Sequence, residues 1–401
     1  MSDWKRNGFV LIGLGVGVLF AAALGIASFN NAMWAPPLHQ NPQDIPSVMQ
    51  SPPSGKWASA VEQGRQRARA SVVEQNLPGL SVAVGVGGET VWAEGFGWAN
   101  FEKRVPVTPA TRFRIGHASK ALTSAAVGLL MEKGRLHLGD EIQTYVPDFP
   151  RKQWPVTLRQ LMGHMGGIRH YEDETDYRQS EHCERASEGL PAFANDPLRF
   201  EPETESRYST YGWVLVSAAV EAAANESFFA FMRTQIFNPL GMTDTTVDAA
   251  DDAIPDRAIF YYPKWSGDPS SGPELAATVD YSCFAGAGAF LSTPSDLVRF
   301  GNALGSGKLL PSFTVRMLQT PQLLASGAET EFGLGWRIET VPLAGEETRL
   351  ASNASRTLLG GSAQFMTFPE RGIVVAVTTN ISKADTRSIA LNIAEAFAER
   401  K

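Results

Sequence analysis

The sequence predicts a mixed α/β (α+β) fold, with one antiparallel sheet flanked by terminal helices and a helical subdomain inserted between its two halves. Three observations carry this expectation. Two strand pairs with turn chemistry stand far apart in the chain, an amphipathic helix lies outside each, and the stretch between them is mostly helical in pattern. Strands supplied from both ends and interrupted by helices imply one sheet completed by both termini.

In chain order, the spacing of Val61, Ala68 and Val72 predicts a helix beginning near Trp57. Residues 80–86 and 90–96 follow, joined by Gly87–Gly88, and their alternation reads as a hairpin. Helical patterns then cover 118–133, 158–163, 213–224 and 228–237, the last stopped by Pro239 and Gly241. A second hairpin is expected from 363–368 and 373–378 around Pro369-Glu370-Arg371-Gly372. Ile389, Ile393 and Phe397, four residues apart, place a closing helix over 388–400.

The chain has 401 residues, 43% of them hydrophobic, enough for a large buried core. A net charge of −7 and the lack of any long basic cluster argue against a nucleic-acid partner. Cys183 and Cys283 have no CxxC spacing and read as two separate thiols, with a single disulfide as the alternative in an oxidising compartment.

Residues 9–29 form an uncharged run of 21, preceded by Lys5 and Arg6. A helix of that length spans about 30 Å, the thickness of a bilayer core. No Lys or Arg follows before Lys56, so residues 1–8 are expected in the cytoplasm and the rest outside. The expectation is therefore a membrane-anchored protein with a periplasmic or extracellular domain. Small residues over 21–27 keep open a cleaved signal peptide and secretion. Residues 30–55, with Pro36, Pro37, Pro42, Pro46, Pro52 and Pro53, read as an extended tether, and 56–401 as the folded domain.

Chemistry concentrates in a few segments. RFRIGHASKAL at 112–122 has the form of a strand end entering a helix. It is followed by GRLHLGDEIQTYVPDFP at 134–150, GHMGGIRHY at 163–171, YSTYGW at 208–213 and IFNPLGMTDT at 236–245. AGAGAFLSTPSDLVRFGNAL at 285–304 and FGLGW at 332–336 complete the series. Together these resemble, in order and over nearly all of 57–400, the serine β-lactamase and penicillin-binding-protein superfamily. The similarity is greatest to the class C-related branch that holds the mitochondrial serine β-lactamase-like proteins.

That resemblance implies a β-lactamase/DD-peptidase-like fold and three catalytic motifs. In such sites a serine opening a helix attacks a carbonyl, and a lysine three residues on lies on the same helix face and takes its proton. A Tyr-x-Asn motif adds a phenol. A Lys-Thr-Gly or His-x-Gly triplet on an edge strand adds a polar wall and an oxyanion-hole amide.

Here the lysine is Lys120, but His117 occupies the serine position. A slipped motif does not rescue it, because the one serine three residues ahead of a lysine is Ser2, before Lys5. Ser119 is adjacent to Lys120 and points about 100° away on a helix. Tyr208 matches the second motif, with Thr210 in the usual asparagine position. The third triplet should fall at Ala354-Ser355-Arg356, or begin at Asn353 with a one-residue insertion, and on either alignment its histidine and glycine are gone. Arg356 puts a long cation where backbone should approach substrate, and it either fills the cleft or offers a fork to a carboxylate.

His117 has three possible uses: nucleophile, base for a water, or metal ligand. His164 and His170 lie in what the family uses as a structural turn, so no metal or organic cofactor is implied. Two altered motifs out of three imply a pseudoenzyme or ligand-binding module, with a small-molecule or peptide/peptidoglycan-like ligand in the cleft. The alternatives are a hydrolase of amides, peptides or esters with an altered mechanism, and an assembly protein that builds oligomers on the membrane.

Overall fold

The computed structural model describes residues 37–398 apart from 174–175, 177–180, 251–253 and 356–359. The 9–29 segment and Arg356 lie outside the described residues.

Among the described residues thirteen strands are numbered in chain order. β1 (Ser47–Met49), β2 (Gly79–Val86), β3 (Glu89–Asn100), β4 (Val105–Pro106) and β5 (Phe113–Arg114) come first. β6 (Thr246–Val247), β7 (Tyr261–Pro263), β8 (Pro273–Leu275) and β9 (Phe290–Ser292) lie in the middle. β10 (Arg337–Leu343), β11 (Glu346–Ser355), β12 (Ser362–Phe368) and β13 (Ile373–Thr379) close the series. The main helices are α1 (Ala58–Glu74), α2 (Ser119–Glu132), α3 (Leu158–Met162), α4 (Tyr211–Ala224), α5 (Phe228–Met232), α6 (Pro294–Gly305), α7 (Ser312–Leu318) and α8 (Thr386–Ala398).

The principal sheet runs β1-β3-β2-β13-β12-β11-β10 and is antiparallel throughout, with β4 added against β3. The two expected hairpins meet at the β2–β13 pairing, where Val82 faces Val377 across the ladder. This joins the two ends of the chain.

β13 is apolar at nearly every position because both sheet faces are covered, and alternate residues serve different cores. Ile373, Val375 and Val377 pack with Leu80, Val82 and Met366 on the outer face, under α1 and α8. Val374 and Ala376 join Ala83 and Phe365 on the inner face, against α2 and α6. Each fully buried Val or Ile contributes about 1.5–3 kcal/mol. The inner face needs small residues to admit α6. A methyl placed on Gly301 would lie 2.6 Å from Val374 Cγ1.

Three expectations change. The stretch read as a tether is partly docked: β1 pairs with β3, Ile45 is buried, and the Arg69 guanidinium donates to the carbonyls of Pro42 and Ile45 and to Ser47 Oγ. A three-residue strand is too short to show a period, but β3 offered it an open edge. Cys183 and Cys283 form a disulfide and not two thiols. The pairing links two loops 100 residues apart in sequence, which spacing alone does not reveal. Finally, the helix begun at Phe228 continues through a wide π turn, Arg233–Phe237, to Leu240. Pro239 lies inside its last turn, where it withdraws a backbone donor, and Gly241 ends it with φ 65°.

Candidate active site

α2 starts directly beneath the sheet. Gly116, at φ +46°, turns the chain from β5 into the short 3-10 turn Gly116–Ala118, which runs on into α2. Ala118, Ala121, Leu122 and Ala125 are buried, so α2 is gripped from several sides. Thr123 Oγ1 donates to the Gly286 carbonyl and Ser124 Oγ to that of Leu334. A helix held in this way fixes what its first turn presents. His117 and Lys120 both line a cleft of about 470 Å³.

Lys120 is almost fully buried, and its Nζ donates to Tyr208 Oη at 2.8 Å and to the Ala287 carbonyl at 3.2 Å. Burial pushes its ammonium well below the usual lysine range, because a low-dielectric site disfavours the charged form. The same burial raises the Tyr208 phenol, against a smaller downward pull from the Thr210 hydroxyl. The two groups are close enough to exchange a proton.

His117 is buried, and its Nε2 lies 3.2 Å from Thr210 Oγ1. Burial holds its pKa well below the ordinary value, reinforced by Lys120, His170 and His164. The ring is therefore neutral at pH 7.

Two further imidazoles crowd Tyr208. His164 has φ +60°, and its Nδ1 accepts the Ser209 N–H at 3.2 Å, leaving the ring's proton on Nε2. Its ring lies 4.5 Å from Tyr208 and meets Phe332 edge-on. His170 Nδ1 accepts the Thr210 N–H at 3.3 Å, and burial pushes this ring down to about 4. Both histidines are lowered chiefly by burial and next by Lys120. Among the described residues no group of three or more His, Cys, Asp or Glu is placed to hold a metal ion.

The opposite wall is β11. Its pairing with β10 ends at Ser352, so Ser352, Asn353 and Ala354 line the cleft from an open edge. Asn353 Nδ2 donates to the Gly335 carbonyl at 2.9 Å, while Ala354 offers only a methyl. Ser355 is buried beside Ala363 with no hydroxyl partner among the described residues, and it does not line the cleft. At the mouth, Arg337 pairs with Glu331 and Arg387 with Glu339, each at 2.7 Å.

The structure thus brings His117, Lys120, Tyr208 and Ala354 to one cavity. Thr210 sits behind His117 as its hydrogen-bond partner and not in the cleft lining, and Ser119 is buried away from it. Sequence reasoning missed Gln364 and the two ion pairs at the mouth, named Asn353 only as an alternative start of the third triplet, and read His164 as part of a structural turn. Arg337 and Glu339 stand two apart on β10 and share a face, a period-2 signal that was available. His164 was hidden because its direction depends on a left-handed backbone.

Chemically, one half of the site can hold and pass a proton. The other half has no hydroxyl lining the cleft at the helix start, where Ser119 is buried away from it, and no histidine or glycine on the edge strand.

Comparison with known proteins gives the family and the fold. The β-lactamase family model matches residues 57–398. The mitochondrial serine β-lactamase-like protein of Bos taurus is 30% identical, covering 86% of this chain and 81% of its own. The Homo sapiens counterpart is 29% identical, over 90% of this chain and 84% of its own. In structure, the D-amino acid amidase of Ochrobactrum anthropi SV3 superposes with a TM-score of 0.71 at 24% identity, covering 84% of this chain and 98% of its own. The octameric penicillin-binding-protein homologue of Pyrococcus abyssi gives 0.69 at 23%, over 82% and 76%. These two likenesses establish the fold and nothing finer.

Proposed function

The chain belongs to the β-lactamase family, and on that premise we propose that it is a membrane-anchored binding module whose cleft holds a small amide, ester or peptide ligand without acylation. The observation that carries the reading is His117. The helix start presents a neutral imidazole paired with Thr210, while Lys120 and Tyr208 have no hydroxyl to activate. The blunted β11 edge supports it, because a tetrahedral intermediate needs preorganised donors where its oxyanion forms. A cleft of about 470 Å³ lined by His117, Lys120, Asn353 and Gln364 would take a peptidoglycan-like peptide. The ion pairs at the mouth offer charges of both signs to it.

The folded domain sits outside the cytoplasm in this reading. The charges flanking 9–29 favour it, and so does the Cys183–Cys283 disulfide, a bond that persists in oxidising compartments. The test of the binding reading is turnover. Nitrocefin and p-nitrophenyl ester hydrolysis by the purified protein should equal the buffer rate, and saturable turnover abolished by excess ligand would overturn it.

One observation favours a second reading, hydrolysis without a covalent intermediate. A buried neutral imidazole beside a carbonyl site is a competent general base. Water oxygen would bond to the ester carbon as its proton passes to His117, and the imidazolium would then protonate the departing alkoxide. Such activity would stay flat as pH falls from 7 through 6.5, because the ring remains neutral there, and His117→Ala would abolish it. A rate that falls with a midpoint near 6.5, or that survives His117→Ala, excludes this route.

A further inference from the structure

We propose that the β7–β8 hairpin is a membrane-contact element, and that it seats Trp265 in the interfacial layer of the bilayer carrying the 9–29 anchor. The proposal rests on the anchor reading above and adds where the domain lies against the membrane.

Exposure gives the first observation. Trp265 is 73% exposed and Leu275 64%, both on the segment from β7 through β8, and Lys264 precedes the tryptophan. Trp265 holds a left-handed backbone, φ 59° and ψ 23°, which a bulky residue rarely adopts. An exposed indole beside a lysine is the side-chain pairing that favours a membrane–water interface, where the ring enters the headgroup layer and the ammonium stays wet.

Position gives the second. Tyr261 N–H donates to the Asn380 carbonyl at 2.8 Å, just past the end of β13. Asp385 N–H donates to Gln75 Oε1 at 2.8 Å, and Leu38 N–H donates to Asn76 Oδ1 at 2.6 Å. These contacts put the root of the hairpin and the incoming chain at the same end of the sheet.

Reach gives the third. Only seven residues, 30–36, separate the apolar run from Pro37. Fully extended they span at most about 25 Å. Because the chain is docked from Leu38 through β1, the remainder of the proline-rich stretch adds no slack. That end of the sheet therefore lies within about 25 Å of the bilayer, near enough for the hairpin to reach it.

The test uses the full chain reconstituted in phosphatidylcholine–phosphatidylglycerol vesicles, with and without lipids brominated on the acyl chain. Co-flotation is read first and tryptophan quenching second. Trp4 and Trp34 flank the anchor and contribute equally in every variant, so the difference between variants reports the hairpin. Trp265→Ser should still float but lose part of the quenching. Phe313→Trp places a new indole on α7, beside the β2–β3 turn at the other end of the sheet, and should add fluorescence that bromolipid leaves unquenched. Equal quenching in wild type and Trp265→Ser, with both floating, overturns the hairpin contact and leaves the anchor standing. Quenching of the Phe313→Trp indole also overturns it. Failure of the wild type to float overturns the anchor and the contact together.

Discussion

The two walls of the cleft differ in what they have kept. On the helical side, Lys120 still meets Tyr208 at 2.8 Å, backed by His164 and His170, with every ring nitrogen that accepts a hydrogen bond assigned to a backbone donor. Beside that pair, on the same helix, the start carries His117, and across the cleft the β11 edge carries Ala354, where reactive and oxyanion-binding groups belong. The scaffold is equally well packed on both sides: Ala118 and Ser355 are as buried as Tyr211. Chemistry can therefore be removed from one wall without loosening it, because burial and hydrogen bonding hold the fold while a few side-chain atoms hold the reaction.

The sharpest break of that comparison restores one atom group to the altered helix start. His117→Ser places a hydroxyl on the helix start beside an intact Lys120–Tyr208 pair. Nitrocefin or p-nitrophenyl ester turnover should then rise by at least about 10³-fold, since members of a catalytic set act as a unit. If the variant gains nothing, while adding Ala354→His and Arg356→Gly does, the β11 edge is a second and independent lesion.

Next in size are supports shared by both walls. Arg114, two residues after Arg112 at the entry to α2, donates to buried Asp248 at 2.7 Å, and Arg257 donates to the other carboxylate oxygen at 2.8 Å. Asp248→Ala removes the buried carboxylate that two guanidinium groups share and should cost about 3–5 kcal/mol in urea denaturation. A cost under 1 kcal/mol would mean that the cluster does not hold the site.

The disulfide bears on the helical wall alone. Cys283 lies in the turn Ser282–Ala287, and the Ala287 carbonyl accepts from Lys120. Replacing both cysteines with alanine should destabilise the protein by about 2–4 kcal/mol. Urea denaturation of the two forms checks this, and equal midpoints would show that the bridge does not hold the turn.

The last effect is a pH dependence. His117, His164 and His170 are all lowered below the ordinary histidine value by burial, His170 to about 4. Between about 4 and 6.5 the unfolded chain binds protons that the folded protein refuses, so stability rises with pH across that window. Stability from these rings is complete above 6.5 and is lost as pH falls toward 4. Denaturation midpoints that stay level from pH 7 to 5 would show that the rings are charged in the folded protein.

Much of the fold was legible in the sequence because strong periods mark strongly buried faces. β2, β3, β12 and β13 fall within two residues of their expected limits at nearly every end, and α8 carries Ile389, Ile393 and Phe397 into the outer core. β3 runs longer, to Asn100, where its polar end loses the alternation that a period detects. β1 was illegible because its pairing depends on the open edge of β3, a tertiary fact. The same holds for Cys183 and Cys283. In the site, Lys120 and Tyr208 were readable by fixed spacing and motif. The roles of Thr210, His164 and Asn353 were not, since each depends on a partner from another element: His117, Ser209 and Gly335.

The most direct test of the binding reading is intact-mass analysis after incubation with a fluorophosphonate and with a fluorescent penicillin, in parallel for the wild type and His117→Ser. The wild type should retain its unmodified mass, while the variant gains one adduct that peptide mapping places on residue 117. An adduct on His117, Lys120 or Tyr208 of the wild type would contradict a cleft that binds without acylation.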